Sequence, residues 1–320
     1  MSTAPDDRLV VLTPIYEDMD AASRLFKELA IEFAGEVYVV AVDDGSIREP
    51  VEVSSIEEAG LRGVVIKLKR NVGHQRAIAI GLNYIAAQID DVHRVVVMDS
   101  DGEDIPASIK ELLKTLEPDD VDLVVAKRKS RVETLLFRAF YFLYKTLFSL
   151  FTGRRISFGN FMALKPAALK RLSAMQELWI HVAGCVLVSK LRMVHCALDR
   201  GPRYAGQSKM NFVDLALHGF RALMVFAEDV LVRVGIACTL VALLSVLGGS
   251  AAVVLKVIGF ATPGWFSVAL GILLLVFLQT GALTLMTLML TGVVKGGIVD
   301  TADYEKFIDD VRYASNESAA

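Results

Sequence analysis

Two stretches without a charged residue constrain this chain more than anything else in it: Val234–Leu255, and Trp265–Val294, which is interrupted only by neutral polar groups such as Gln279. The hydrocarbon core of a bilayer is about 30 Å thick and takes about 20 apolar residues as helix. Both stretches meet that length, the second with residues to spare for tilt or a partly interfacial end. Core helices of soluble proteins rarely go so long without charge. The pair therefore reads as a transmembrane hairpin joined by the short loop Lys256–Gly264. The mean hydropathy of +0.48 and the hydrophobic fraction of 54% find their source here.

Orientation follows from charge. Arg221, Arg233 and Lys295 flank the hairpin, against a lone Lys256 in its loop, which agrees with a positive-inside bias. The N-terminus, MSTAPDDRLVVLTP, lacks a basic n-region followed by an apolar stretch, so no signal peptide is expected and the hydrophilic part stays cytoplasmic. The expected localisation is an inner or plasma membrane, multi-pass. A net charge of −3 gives no sign of a nucleic-acid partner. Cys185, Cys196 and Cys238 make neither a metal spacing nor a disulfide framework.

Ahead of the hairpin, strand and helix signals alternate. Leu9–Ile15, Val37–Val42, Val64–Leu68, Val95–Met98 and Val121–Ala126 are short apolar runs; Ala21–Phe33, Ala77–Gln88 and Ile105–Leu116 carry helical spacing, the last opened by Pro106. That alternation predicts an α/β fold with a doubly wound, mostly parallel sheet, whose ligands bind beyond the carboxyl ends of the strands. The polar clusters fall at those ends. Leu135–Phe151 holds seven aromatic residues with Arg138 and Lys145 and reads as a helix in the membrane interface; a buried helix is its alternative. The expected organisation is a catalytic domain over 1–210 including that helix at about 135–152, an amphipathic juxtamembrane helix 211–232, the hairpin 233–295, and a polar tail 296–320.

Four clusters carry chemistry. Asp99-Ser100-Asp101 follows the strand RVVVM, with Glu103 two residues on. Carboxylates so spaced can share Mg²⁺ or Mn²⁺, which prefer oxygen ligands and often bridge carboxylates to substrate phosphates; a solvated acidic turn is the plainer reading. Asp43-Asp44-Gly45-Ser46 also ends a strand, where a carboxylate can accept from a base or ribose, or merely form an Asx turn. Asn71 and Gly73, in RNVG, open a helix whose first amides favour anions, unless they serve only as caps. His74 beside them could touch phosphate, although a lone histidine at a helix start is more often incidental. The string Arg203-Tyr204-Ala205-Gly206-Gln207-Ser208-Lys209 brings two cations and a hydroxyl round a glycine, fit for phosphates or for lipid headgroups.

In order and spacing, TPIYED, VDDGS, RNVG, MDSDGEDIP, RYAGQSK and the terminal hairpin resemble the family 2 glycosyltransferases with a GT-A (Rossmann-like) fold. Within them the chain is most similar to the dolichol- and polyprenyl-phosphate hexose synthases, in the bacterial branch with two C-terminal membrane helices. The resemblance implies a nucleotide pocket of Pro14, Tyr16, Glu17, Asp43 and Asp44, joined by Asn71, Gly73, Asp99, Ser100 and Arg128. It implies a metal and diphosphate site at Asp99, Asp101 and Glu103, and a phosphate-binding loop of Arg203, Ser208 and Lys209. Asp101, Arg203 and Lys209 are the expected catalytic residues.

Implied with them are a nucleotide-sugar donor, an undecaprenyl-type phosphate acceptor, Mg²⁺ or Mn²⁺, contact with membrane lipids, and a homo-oligomer. The chemistry expected is in-line displacement with inversion and no covalent intermediate, since a phosphate monoester with its second pKa near 6 is largely ionised already. Two departures stand out. Glu103 replaces a glutamine usual in relatives, and Ser157-Phe158-Gly159-Asn160-Phe161 lacks the acids of their DTGDF-like segment. Three other readings carry less: a tethered nucleotide-sugar-binding scaffold, to which Asp99, Asp101, Arg203 and Lys209 are superfluous; a polysaccharide synthase, which needs more helices and a Q-x-x-R-W string; and a transporter subunit, which needs charge inside its membrane runs.

Overall fold

The computed structural model describes residues 8–128, 145–154, 158–204, 219–260, 264–296 and 303–314. It divides into two compact units: one of 1–139, 156–225 and 299–320, the other of 140–155 and 226–298.

The first unit is built on one eight-stranded sheet in the order β7-β5-β6-β4-β1-β2-β3-β8. Its strands are β1 (Arg8–Ile15), β2 (Val37–Asp43), β3 (Arg62–Leu68), β4 (Val92–Val97), β5 (Leu123–Arg128), β6 (Met162–Leu164), β7 (Met193–Leu198) and β8 (Ile308–Tyr313). Only β6 and β8 run against the rest. The helices α1 (Met19–Phe33), α2 (Ser54–Glu58), α3 (His74–Gln88) and α4 (Ile109–Leu116) connect the early strands. A 3-10 turn, Pro106–Ser108, precedes α4.

The apolar strands are explained by burial on both faces. Val10 and Leu12 of β1 pack with Ile78, Leu82 and Ile85 of α3, while Leu9 and Val11 pack with Leu25, Phe26 and Leu29 of α1 and Leu112 of α4. Successive side chains of a strand point to opposite faces, so a strand covered twice must be apolar throughout. Because β1 lies between β2 and β4, the chain winds outward from it in both directions. The loops after β1, β2, β3 and β4 consequently open on one edge, where such sheets bind ligands.

Three strands differ from the sequence expectation. Residues 296–320 read as a polar tail, yet Ile308–Tyr313 is an edge strand, antiparallel to β3. The hydroxyls of Tyr84 and Tyr313 lie 2.8 Å apart, Phe307 stacks on Trp179 at 5.9 Å, and Ala314 N–H donates to Gly63 O at 3.0 Å. The short β6, also unexpected, reverses direction between β4 and β5, and β7, unexpected as well, lies parallel to β5 at the other edge.

The second unit holds the helices Ala227–Val257 and Trp265–Gly296. At 1.5 Å per residue each is about 45 Å long, more than a hydrocarbon core requires. Both are long and apolar enough to cross a membrane, and large side chains such as Leu244, Leu247, Leu275 and Leu285 are exposed along them. In water that surface would be costly; against acyl chains it is not. Gly248 approaches Leu273 and Gly235 approaches Thr287, so the antiparallel seam is lined by small residues. Gly248 and Gly249 both face the second helix of their own chain, at Leu273 and Leu270.

Of the expected interfacial segment, 145–152 is helical and belongs to this unit, while 135–144 lies outside the described residues. Phe148 meets Phe226 edge-on at 5.7 Å, and Arg233 Nη1 donates to Leu150 O at 3.1 Å. Leu147 and Leu150 remain exposed.

Candidate active site

The edge of the sheet is held by carboxylates that accept from backbone. Asp43 is fully buried; its Oδ1 accepts from Ser46 N–H at 2.8 Å and its Oδ2 from Val51 N–H at 3.0 Å. Asp44 accepts from Val72 N–H at 2.7 Å and Gly73 N–H at 2.9 Å, tying the β2 loop to the start of α3. Burial raises its pKa despite those bonds. Gly45, at φ +71°, lets the two loops touch: a Cβ there would lie 2.4 Å from the carbonyl carbon of Arg70.

Glu17, at φ +48°, accepts from the amides of Ile47, Arg48 and Glu49 at 2.8 to 3.3 Å, and its own N–H donates to Ser46 Oγ. Those amides hold its pKa below the ordinary value, the Ile47 and Glu49 bonds foremost. A carboxyl with a depressed folded pKa anchors fully above its unfolded value, about 4.3, and lets go as pH falls through the lower folded one. The amide resonances of residues 47–49 should therefore shift together below about pH 4 in an NMR titration. Glu17→Gln should remove that transition; a transition that persists assigns it to another group.

Between these loops, Pro14, Tyr16, Asp44, Asn71, Gly73 and His74 line a cleft. A second cavity adjoins the turn after β4 and is lined by Asp99, Glu103, Asn160, Asp199 and Arg200 among others. That turn is tightly wound: Asp104 Oδ2 accepts from Asp99 N–H, Asp101 Oδ1 accepts from Glu103 N–H, both at 3.0 Å, and Gly102 has φ +86°.

The segment 199–204 is strapped across the turn. Gly201 N–H donates to Glu103 O at 3.0 Å and Tyr204 N–H to Asp101 O at 2.9 Å. A Cβ on Gly201 would sit 2.4 Å from Gly102 O, so glycine is what allows the approach. Tyr204 is pinned from outside, its hydroxyl donating to Glu28 at 2.6 Å and its ring under the Arg24 guanidinium at 4.3 Å. Arg203 reaches Asp101 Oδ2 at 3.0 Å and Glu103 Oε1 at 2.8 Å, and Arg200 pairs with the other oxygen of Glu103.

A polar chain closes the far side. Val182 N–H donates to Gln75 Oε1, Gln75 Nε2 donates to Asn160 Oδ1 at 3.1 Å, and Asn160 Nδ2 lies 2.9 Å from His74 Nε2. His74 Nε2 is 3.2 Å from Asp99 Oδ1. Burial lowers the pKa of His74, but the carboxylates of Asp99, Asp44 and Asp104 together raise it overall.

A sheet of this order carries its acidic turns on the carboxyl edge, where such sheets bind ligands, and the family comparison is decisive. Residues 10–175 match the model of glycosyl transferase family 2. The chain belongs to glycosyl transferase family 2.

Among relatives, an undecaprenyl-phosphate 4-deoxy-4-formamido-L-arabinose transferase of Edwardsiella ictaluri is 26% identical over 212 residues, which span 64% of this chain and 63% of that one. An uncharacterised glycosyltransferase of Synechocystis is 24% identical over 83% of this chain and 85% of its own. Among solved structures, the glucosyl-3-phosphoglycerate synthase of Mycobacterium tuberculosis, in complex with Mn²⁺, UDP-glucose and phosphoglyceric acid, shares the fold. It has a TM-score of 0.51 and 15% identity over 71% of this chain and 79% of that one.

In this glycosyltransferase the residues singled out from sequence fall into four groups. Pro14, Tyr16, Asp44, Asn71 and Gly73 converge on the cleft, and Asp99, Ser100, Asp101, Glu103 and Arg203 on the strapped turn. Asp43 and Glu17, expected to touch the nucleotide, spend their carboxylates on the β2 loop itself. Arg128 ends β5. Its side chain, with Ser157, Ser208 and Lys209, lies outside the described residues. The three acids expected to share a metal are not drawn together. Among the described residues no group of three His, Cys, Asp or Glu side chains is gathered as for an ion, and Glu103 faces two guanidinium groups instead. Arg200 and Gln75 were missed, and His74 and Asn160, noticed in the sequence, were given no part in the site. Their signal was adjacency to a motif, which only the fold makes meaningful.

Proposed function

We propose that this chain transfers a single hexose, or a related sugar, from a nucleotide-diphosphate sugar to a polyprenyl phosphate at the cytoplasmic face of a membrane. The observation that carries this reading is the turn Asp99–Asp104 faced by Arg200 and Arg203, in a family 2 domain whose chain runs on into an exposed apolar hairpin. A relative named for transfer to undecaprenyl phosphate supports the acceptor class. The cytoplasmic orientation is supported by charge, with Arg221, Arg233 and Lys295 flanking the hairpin against a lone Lys256 in its loop.

The donor set fits a divalent cation. Mg²⁺ and its like are commonly held by one or two carboxylates plus substrate phosphates, and Asp99 and Asp101 are the residues that would hold it. When bound, Mg²⁺ or Mn²⁺ would neutralise the diphosphate leaving group. The protein's part is to orient. Tyr16 offers an exposed ring at the cleft, α3 presents its first amides, and Arg203 supplies a planar fork suited to phosphate. No side chain need act as base, because the acceptor phosphate is already ionised; positioning and charge compensation remain. Displacement is in line, with inversion.

Membranes carrying the protein, incubated with Mg²⁺, undecaprenyl phosphate and one radiolabelled nucleotide-sugar at a time, should pass label to the organic phase with one donor. No label with any donor, from a chain that still binds nucleotide, would overturn the transferase reading in favour of a tethered binding protein.

A further inference from the structure

Glu103 is the family departure whose surroundings are best defined. Its side chain is only 12% exposed, and both its oxygens face guanidinium groups, Arg203 Nε at 2.8 Å on one and Arg200 Nη2 on the other. Two arginines converging on one oxyanion is the arrangement by which proteins hold phosphate. Neither guanidinium reaches Glu103 by chance of a loose loop, for the backbone of 201–204 is bonded to the backbone of 101–103 and glycines at 102 and 201 let the strands of chain touch. The carboxylate thus stands where a multiply charged ligand of the same arginines would be drawn. A diphosphate carries more negative charge and more acceptor oxygens than one carboxylate, so it wins the exchange.

We propose that Glu103 is a resting counter-anion for a two-arginine clamp, and that Arg200 joins Arg203 in holding the donor's diphosphate once Glu103 is displaced. Arg200 then becomes a substrate-binding residue three positions ahead of the recognised string. Glu103 sets the threshold for engagement by occupying both arginines when no donor is present. A glutamine at this position lacks the charge to compete.

The proposal rests on the transferase reading only in naming the diphosphate, and its test does not use transfer. Inorganic pyrophosphate with Mg²⁺ is titrated into the full chain in detergent by calorimetry, and thermal unfolding checks that each variant is folded. Glu103→Gln is expected to lower the Kd roughly tenfold, the scale of one charged hydrogen bond released. Arg200→Met is expected to raise the Kd roughly tenfold in the Glu103→Gln background and clearly less in the natural chain, where it also releases Glu103. Arg200→Lys, the gentler change, keeps the charge and loses the fork, for roughly a threefold rise.

An unchanged or raised Kd for Glu103→Gln would overturn the proposal, a raised one marking Glu103 as a ligand of the cation. So would an Arg200→Met change without effect in the Glu103→Gln background. A chain that shows the expected shifts yet transfers no sugar keeps the clamp and loses the transferase.

Discussion

Asp101→Ala is expected to lower sugar transfer by on the order of 10²–10³-fold, the range seen when one preorganised electrostatic partner of a transition state is removed. Asp101 sits at the crossing of three demands. Its Oδ1 accepts from Glu103 N–H, which closes the turn, and its Oδ2 meets Arg203, which sets the start of the strap. In the proposed mechanism it is also one of two carboxylates left for the cation. Alanine removes all three, so the loss alone would not separate them. Asp101→Asn does: its amide oxygen can still accept from Glu103 N–H, while the charge is gone. Rates measured against Mn²⁺ concentration should then show a raised metal requirement and a depressed maximum for both substitutions. An Asp101→Asn enzyme with full activity at ordinary metal concentration would reduce Asp101 to a turn-forming residue.

Deleting residues 303–320 is the second large effect, this time on stability. Tyr304, Phe307, Ile308 and Val311 are half-buried against the core that includes Tyr84, and Ala314 is buried on the opposite face. At roughly 1 kcal/mol for each half-buried large side chain, the segment contributes about 3–5 kcal/mol before its ladder of hydrogen bonds is considered. For a domain of this size that corresponds to a fall in Tm of about 10 °C. The deletion also bares β3, whose Val64, Val65 and Ile66 form an apolar edge open to pairing with other chains. The truncated protein should melt earlier and self-associate at concentrations where the whole chain does not. Equal melting temperatures would show that β8 merely rests on the sheet.

Much of the first unit was legible because its physics is local. The runs that became β1 to β5 are apolar but for Thr13, Lys67 and Asp122, as strands buried on both faces need to be, and α1, α3 and α4 announce themselves by spacing. Short β6 and the edge strand β8 gave no such signal. Met162–Leu164 is too brief to show a period, and Ile308–Tyr313 mixes Asp309, Asp310 and Arg312 with its apolar residues, as an edge exposed to water permits.

The division in the site has the same cause. From the residues alone came the acid turn, the glycines, the arginine string and the hairpin, each a cluster contiguous in the chain. The pairing of those clusters came only with the tertiary structure. It turned Asp43 inward to its own loop, set Glu103 against Arg200 and Arg203 rather than with the other acids, and made His74 a neighbour of Asp99. A carboxylate's role is decided by the nearest donor or cation; Asp43 finds its donors in its own loop, whereas those of Asp44, Asp99 and Glu103 arrive from loops far away along the chain.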